Sequence, residues 1–304
     1  MKRKAFTIIE LIVVLSVIAL LVSALAPALN KIKEHARSLA QRAQFRNIEM
    51  GLEGWANDHD FDYPDSNLEI TASGSVVGAQ KLCEALLGRD LHGFDPKSSW
   101  NPWKDQNDPD IYSTTTKGRI EPYAEITKLQ AFQFGQLWAD ANPDSPYPGN
   151  CDDQGNINSA YKPCYLLTDH FKRKSIRLPA GNSVRIGSPI LYYKANDRFK
   201  ALTTAAPASQ SIFNFTDNAP LMQYGQLNDE PKKHPFYAAY TASGSQSNPR
   251  LWVEALLAPS PAPTDQGGVL EGTPYNKDSF ILLSAGPDGL YGTKDDIWNI
   301  SGKK

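Results

Sequence analysis

Residues 2–29 read KRKAFTIIELIVVLSVIALLVSALAPAL: a short basic leader, a Phe-Thr pair, then an apolar run interrupted by one carboxylate, Glu10. Positions 11–29 make 19 residues, about 28 Å as a helix at 1.5 Å per residue, enough to cross a hydrocarbon core. A charged side chain at the bilayer centre costs about 2.5–3.5 kcal/mol on insertion scales. A plain anchor has no use for Glu10. A helix that must find a partner for that charge inside the membrane does.

The stretch Ala5-Phe6-Thr7-Ile8-Ile9-Glu10 resembles the processing site of the type IV pilin and type II secretion pseudopilin superfamily. The resemblance implies a five-residue leader, a cut between Ala5 and Phe6 by a prepilin peptidase, and methylation of the new N-terminus. It also implies residence in the inner membrane with a periplasmic head, and an assembly role for Glu10 as the fifth residue of the mature chain. Ala5 departs from the glycine that most members carry before the cut. The competing reading is a secretory signal, which predicts cleavage near Ser23-Ala24-Leu25-Ala26 but leaves Phe6, Thr7 and Glu10 without a role. Charge does not orient the span, because Lys31, Lys33, Arg37, Arg42 and Arg46 follow it while Lys2, Arg3 and Lys4 precede it. Pro27 predicts a kink or local melting, and the resemblance implies unwinding there in a filament.

Past the span the helical pattern continues. Ile32, Ala36, Leu39 and Ala43, then Phe45, Ile48, Leu52 and Trp55, recur at three- and four-residue steps. This stripe predicts an amphipathic half over 30–58 packed against a head at 59–304. Gly51 and Gly54 weaken the helix near its end, and Asn57-Asp58 with Tyr63-Pro64 stops it.

The first 46 residues hold 8 basic and 2 acidic side chains, which leaves 23 basic against 31 acidic in the remainder, a net of −8. A mildly acidic remainder of this kind does not read as a nucleic-acid binder, which needs a basic face. The basic patch after the span suits anionic lipid head groups or acidic neighbours. Nineteen of the 22 prolines fall between Pro96 and Pro274, so an insertion at about 97–275 reads as loop-rich with short strands and not as a helical bundle. Positions 190–193 and 280–283 are the clearest strands, and 81–87 a short helix. Cys151 and Cys164 flank a polar loop, and an extracytoplasmic head permits a disulfide between them. Cys83, among apolar helix residues, reads as a buried free thiol. No cysteine or histidine spacing suggests zinc.

Residues 284–296, SAGPDGLYGTKDD, form the second informative segment. The turn predicts that Asp288 returns towards Asp295 and Asp296, whose like charges repel unless a cation lies between them. Hard oxygen donors in a flexible loop suit Ca²⁺, although the spacing is not that of an EF-hand; a solvated Asp-Gly turn is the plain alternative. The segment resembles the C-terminal loop of major G-type pseudopilins. That resemblance implies side-chain ligands Asp288, Asp295 and Asp296, with carbonyls of Ala285 and Leu290, around calcium. The oxygen-rich cluster 152–156 reads as a turn.

The expected fold is α+β: a long N-terminal helix packed on a small antiparallel sheet, with a large loop-rich insertion. The expected role is a structural subunit that meets other pseudopilins, a prepilin peptidase and an inner-membrane assembly platform in a type II secretion pseudopilus. A type IV or DNA-uptake pilin, and a membrane-tethered calcium-dependent binding module, are the rivals. An enzyme is not expected, since the chain has no G-x-S-x-G, H-E-x-x-H or P-loop and its five histidines are scattered.

Overall fold

The computed structural model describes residues 7–71, 74–96, 119–133, 165–172, 174–177, 182–204, 210–223, 234–242 and 248–300. Helix α1, Ile8–Asp58, is a continuous 51-residue rod. Thr7 caps its start with extended backbone. Its end is the expected one, with His59 at the C-cap stacked on Trp55. Pro27 lies inside the unbroken helix. One proline removes one hydrogen bond and bends the rod locally, which is too little to interrupt a helix this long.

The rest follows in chain order: β1 (Glu69–Thr71), β2 (Gly74–Val76), α2 (Gly78–Leu87), β3 (Ala131–Gln133), β4 (Tyr165–Leu167), β5 (Lys174–Arg177), β6 (Ser183–Ile186), β7 (Leu191–Lys194) and β8 (Leu202–Thr203). After these come α3 (Ala219–Gln223), α4 (Pro235–Ala242), α5 (Arg250–Leu256), β9 (Thr264–Gln266), β10 (Val269–Gly272), β11 (Phe280–Ser284) and β12 (Ile297–Trp298). All strand pairs are antiparallel.

The organising sheet has the order β12-β11-β7, with Ile281 opposite Tyr193 and Leu282 opposite Tyr192. It is covered on both faces. Ile190, Tyr192, Phe280 and Leu282 join Phe45, Ile48 and Leu52 of α1 and Leu82, Leu86 and Leu87 of α2 in one core. Leu191, Tyr193, Ile281 and Leu283 point the other way, into a core with Phe213, Phe215, Phe236, Trp252 and Leu256. Burial on both faces explains why both strands read as unbroken apolar runs instead of alternating ones.

Two expectations need correction. The apolar stripe of α1 packs on the head only from Gln41 onward: Ile32, Ala36, Leu39 and Ala43 are exposed, whereas Phe45, Ile48, Leu52 and Trp55 are buried. A stripe marks a face that wants cover, and periodicity cannot say which molecule provides it. The insertion, moreover, is not loop and strand alone. Helices α3, α4 and α5 form within it and supply the second core layer, with Trp252 fully buried.

Gly51 is a packing residue rather than merely a weak helix former. A Cβ there would lie 2.8 Å from Leu86 Cδ2 and 3.2 Å from Ala124 Cβ, so the bare backbone is what lets α1 approach α2. Lys81 is buried at the centre of α2, and its ammonium donates to Asp65 Oδ2 at 2.9 Å, to the Asn67 carbonyl at 2.8 Å and to Glu69. Three acceptors offset the desolvation of the charge and tie the chain leaving the stalk to the head. Cys83 is buried and unbridged, as expected.

The N-terminal motif and the carboxylate loop

At the start of α1, Thr7 and Glu10 form a reciprocal pair. The Thr7 hydroxyl accepts from Glu10 N–H at 3.3 Å, and Glu10 Oε2 accepts from Thr7 N–H at 2.9 Å and from the Thr7 hydroxyl at 2.8 Å. This is a capping box: two N–H groups that the helix leaves unpaired are satisfied by side chains three residues apart. Thr7 is thus the cap of α1, a role signalled in the sequence by the T-x-x-E spacing. In the single chain Glu10 is folded back on its own helix start. Ala5 and Phe6 lie outside the described residues.

From Ile8 through Arg37 every described side chain of α1 is exposed. The rod is long and apolar enough to cross a membrane, with none of its apolar window covered by the described residues.

The head is seated on α1 by glutamines. Gln44 Nε2 donates to the Thr168 carbonyl at 3.1 Å, and Gln41 Oε1 accepts from His170 N–H at 3.0 Å. Between these partners sits Asp169, fully buried, whose Oδ1 accepts from Phe171 and Ser188 N–H and whose Oδ2 accepts from the Ser284 hydroxyl at 3.0 Å. One short segment therefore links the stalk, the sheet and the residue from which the carboxylate loop departs.

That loop closes as the sequence predicts. Gly286 has φ +62°, and a Cβ there would lie 2.0 Å from the Asp295 carbonyl oxygen, so only glycine lets the two arms meet. Asp288 N–H donates to Asp295 Oδ2 at 2.9 Å, and Leu290 N–H donates to Asp288 Oδ1 at 2.8 Å. The Thr293 hydroxyl donates to Asp295 Oδ1 at 2.6 Å, and Gly292 N–H to Asp296 Oδ2 at 2.8 Å. Tyr291 pins the far arm: its hydroxyl donates to the Pro189 carbonyl and its N–H to His234 Nδ1.

Asp288, Asp295 and Asp296 are thus brought into one loop, with the Ala285 backbone buried at its base. The Leu290 carbonyl accepts from Thr293 at 3.3 Å. Burial raises the pKa of Asp288, with the charge of Asp295 adding to it. Burial pushes Asp296 up to about 8, with Asp288 and Asp295 repelling it further. The second oxygen of Asp296, Oδ1, is buried without a hydrogen-bond partner. Carboxylates crowded in this way would be stabilised by a cation between them. Among the described residues, however, no three acidic, histidine or cysteine side chains converge as a ready metal cluster. A cation here would draw part of its shell from carbonyls and water, as calcium commonly does. A cleft lined by Arg42, Leu251, Glu254, Gly292, Asp296 and Trp298 sets the loop beside the stalk. The expected Cys151–Cys164 disulfide and the turn at 152–156 lie outside the described residues.

With this geometry in view, comparison with known families finds a match at the start of the chain. Residues 1–26 match the family model described as the prokaryotic N-terminal methylation motif. The motif marks a prepilin-type precursor, pilin or pseudopilin, whose products are structural subunits processed by a prepilin peptidase and assembled into pilus-like filaments. No curated protein and no solved structure matches the chain.

Proposed function

We propose that this chain is a pseudopilin-like subunit that waits in the inner membrane with its head in the periplasm and polymerises into a short filament serving type II protein secretion. The observation that carries the reading is the pairing of the methylation motif with a 51-residue helix whose first thirty residues find no cover among the described residues. Helices of neighbouring subunits are the natural cover for such a face. Cleavage before Phe6 creates a positive amine beside the Thr7–Glu10 pair. On joining a filament, Glu10 would exchange its own helix start for the amine of a neighbour, relieving two charges at membrane depth and setting the axial register.

The carboxylate loop supports the same reading. Asp288, Asp295 and Asp296, with the carbonyls of Ala285 and Leu290, would hold calcium there, and the ion would neutralise the crowded carboxylates. Asp169, through Ser284, would carry the resulting order to the stalk seat.

Glu10→Val tests the assembly role. The variant should insert, fold and be cleaved, yet cross-link poorly between adjacent helices and fail to secrete a reporter. Wild-type secretion by Glu10→Val as the sole subunit of its kind would refute the mechanism. Intact mass showing a cut beyond residue 22 would refute the processing. Filaments outside the cell would mark a surface pilin, and a processed chain that never cross-links to itself would mark a tethered calcium-dependent binding module.

A further inference from the structure

Between Asp169 and Asp197 the sequence has no acidic residue, and it carries Lys172, Arg173, Lys174, Arg177, Arg185 and Lys194. This is a sharp exception in residues 47–304, whose net charge is −8. Three of these six, Lys174, Arg177 and Arg185, lie on one ribbon, β5 paired with β6, with Ser175 opposite Arg185 and Arg177 opposite Ser183. The ribbon is outside the organising sheet. It is rooted by Ile186, fully buried, and by Val184, half-buried against the same core. Lys172, Ser183 and Arg185 are exposed. None of the ion pairs found among the described residues involves Lys172 or Arg185.

Position gives the charge a meaning. The ribbon leaves the chain immediately after His170 and Phe171, and His170 is bonded to Gln41, the first fully covered residue of the stalk. Gln41 is 12 positions beyond Leu29, the end of the apolar run, or about 18 Å along a helix. Lipid head groups fill roughly the first 5–8 Å of that distance. The gap that remains is comparable to the Debye length of about 8 Å at physiological ionic strength, before the reach of a lysine or arginine side chain is counted. The opposite end of the stalk is some 17 residues farther away, beyond the reach of any surface potential. The stalk itself carries Lys31, Lys33 and Arg37, all exposed, across the gap.

We propose that the β5–β6 ribbon is an anionic-lipid contact that, together with the basic collar of the stalk, holds the unassembled head against the membrane surface. The partner is a bilayer bearing acidic head groups such as phosphatidylglycerol. The proposal rests on the membrane-anchored reading of α1 but not on polymerisation. Each basic residue brought near such a surface shifts the equilibrium roughly fivefold towards contact. Loss of the contact on entering a filament would free the head to rise.

The test uses the full chain in nanodiscs, with side-chain accessibility read by mass spectrometry after acetylation of lysines and dicarbonyl modification of arginines. In phosphatidylglycerol-rich discs Lys172 and Arg185 should react several-fold more slowly than in phosphatidylcholine discs, and high salt should restore the rate. Lys200 and Lys277, exposed beside Phe61 at the far end of the stalk, should react equally in both and serve as internal controls. Arg177→Glu with Arg185→Glu should abolish the protection of Lys172 while leaving the melting temperature unchanged; Arg185→Gln, which keeps the ribbon neutral there, should weaken it. Equal rates in both lipids would overturn the proposal. So would protection that appears in phosphatidylcholine and grows with the number of chains per disc, since the acidic head of a second copy would then be the partner. Neither result touches the Glu10 experiment, so the two readings fail separately.

Discussion

The two halves of α1 are one rod with two opposite relations to the chain around it. Between Phe45 and Ala56 the side chains of Phe45, Ile48, Leu52, Trp55 and Ala56 are buried against the head, whereas Met50 faces outward. From Ile8 to Arg37 the same kind of residue is exposed, uncovered by the described residues of the chain. Burial of apolar side chains contributes about 1.5–3 kcal/mol each only when something removes them from water. The upper half is therefore stabilised by its own head, and the lower half by whatever lies outside the chain. The N-terminal motif names that outside as membrane first and neighbouring subunits afterwards.

The sharpest break of this comparison is substitution within each half. Leu52→Ala, which empties a fully buried site, should cost the head about 2–5 kcal/mol in chemical denaturation. Leu39→Ala and Ile32→Ala should leave a head lacking residues 1–30 unchanged, because both are exposed. A large loss from Leu39→Ala in that soluble head would mean that the lower stripe is packed within the single chain after all.

Calcium should sharpen the contrast next. Ligand bound only by the folded head adds about 2.7 kcal/mol at a hundredfold excess over Kd, so the melting temperature of the head should rise with calcium and fall with chelator. Asp288→Ala or Asp296→Ala should remove that response. Unchanged melting with chelator would reduce the loop to its hydrogen bonds.

A third test concerns the seam between the stalk exit and the second core layer. Asp217 is fully buried, accepts from the Ser66 hydroxyl at 2.6 Å, and faces Asp65, Lys81, Tyr193 and the Leu68 backbone. Burial pushes its carboxyl up to about 8. Its contribution to stability is full below the unfolded value near 3.8, declines as pH rises because only the unfolded chain releases the proton, and is gone above about 8. Asp217→Asn should flatten that decline and raise stability at pH 8 by an amount of order 2 kcal/mol, with no gain near pH 4. A wild-type curve that does not fall between those limits would contradict the assignment.

The smallest effect separates two glycines of the stalk. Gly51→Ala should destabilise by about 1 kcal/mol, since its Cβ would press on Leu86 and Ala124 and override the gain in helix propensity. Gly54→Ala meets only the Tyr123 ring edge at 3.3 Å and should be neutral or mildly stabilising.

What the sequence disclosed follows the same division. The rod was readable because fifty residues of one period leave little ambiguity. The two central strands were readable because burial on both faces makes them continuously apolar. The second core layer was not. Helices α3, α4 and α5 run 5, 8 and 7 residues, too few turns for a periodic signal, and they lie among prolines that mimic loop. The carboxylate loop was legible in its turn, from Gly286 and the Asp-Gly pair, but the orphaned oxygen of Asp296 depends on packing that no spacing encodes. The capping role of Thr7 is encoded in the T-x-x-E spacing, but the charge of Glu10 at membrane depth is the stronger signal in the same segment.

The glutamine seat has a mechanical consequence. Gln41 and Gln44 hold the 168–170 segment through directional bonds on adjacent turns, so rotation of the upper rod carries the head with it. The stretch from Asn30 to Ala40 then acts as a gear of fixed phase, in which each residue is worth about 100° of azimuth and 1.5 Å of height. Inserting a single alanine there would leave head and membrane helix intact and point the head in a different compass direction.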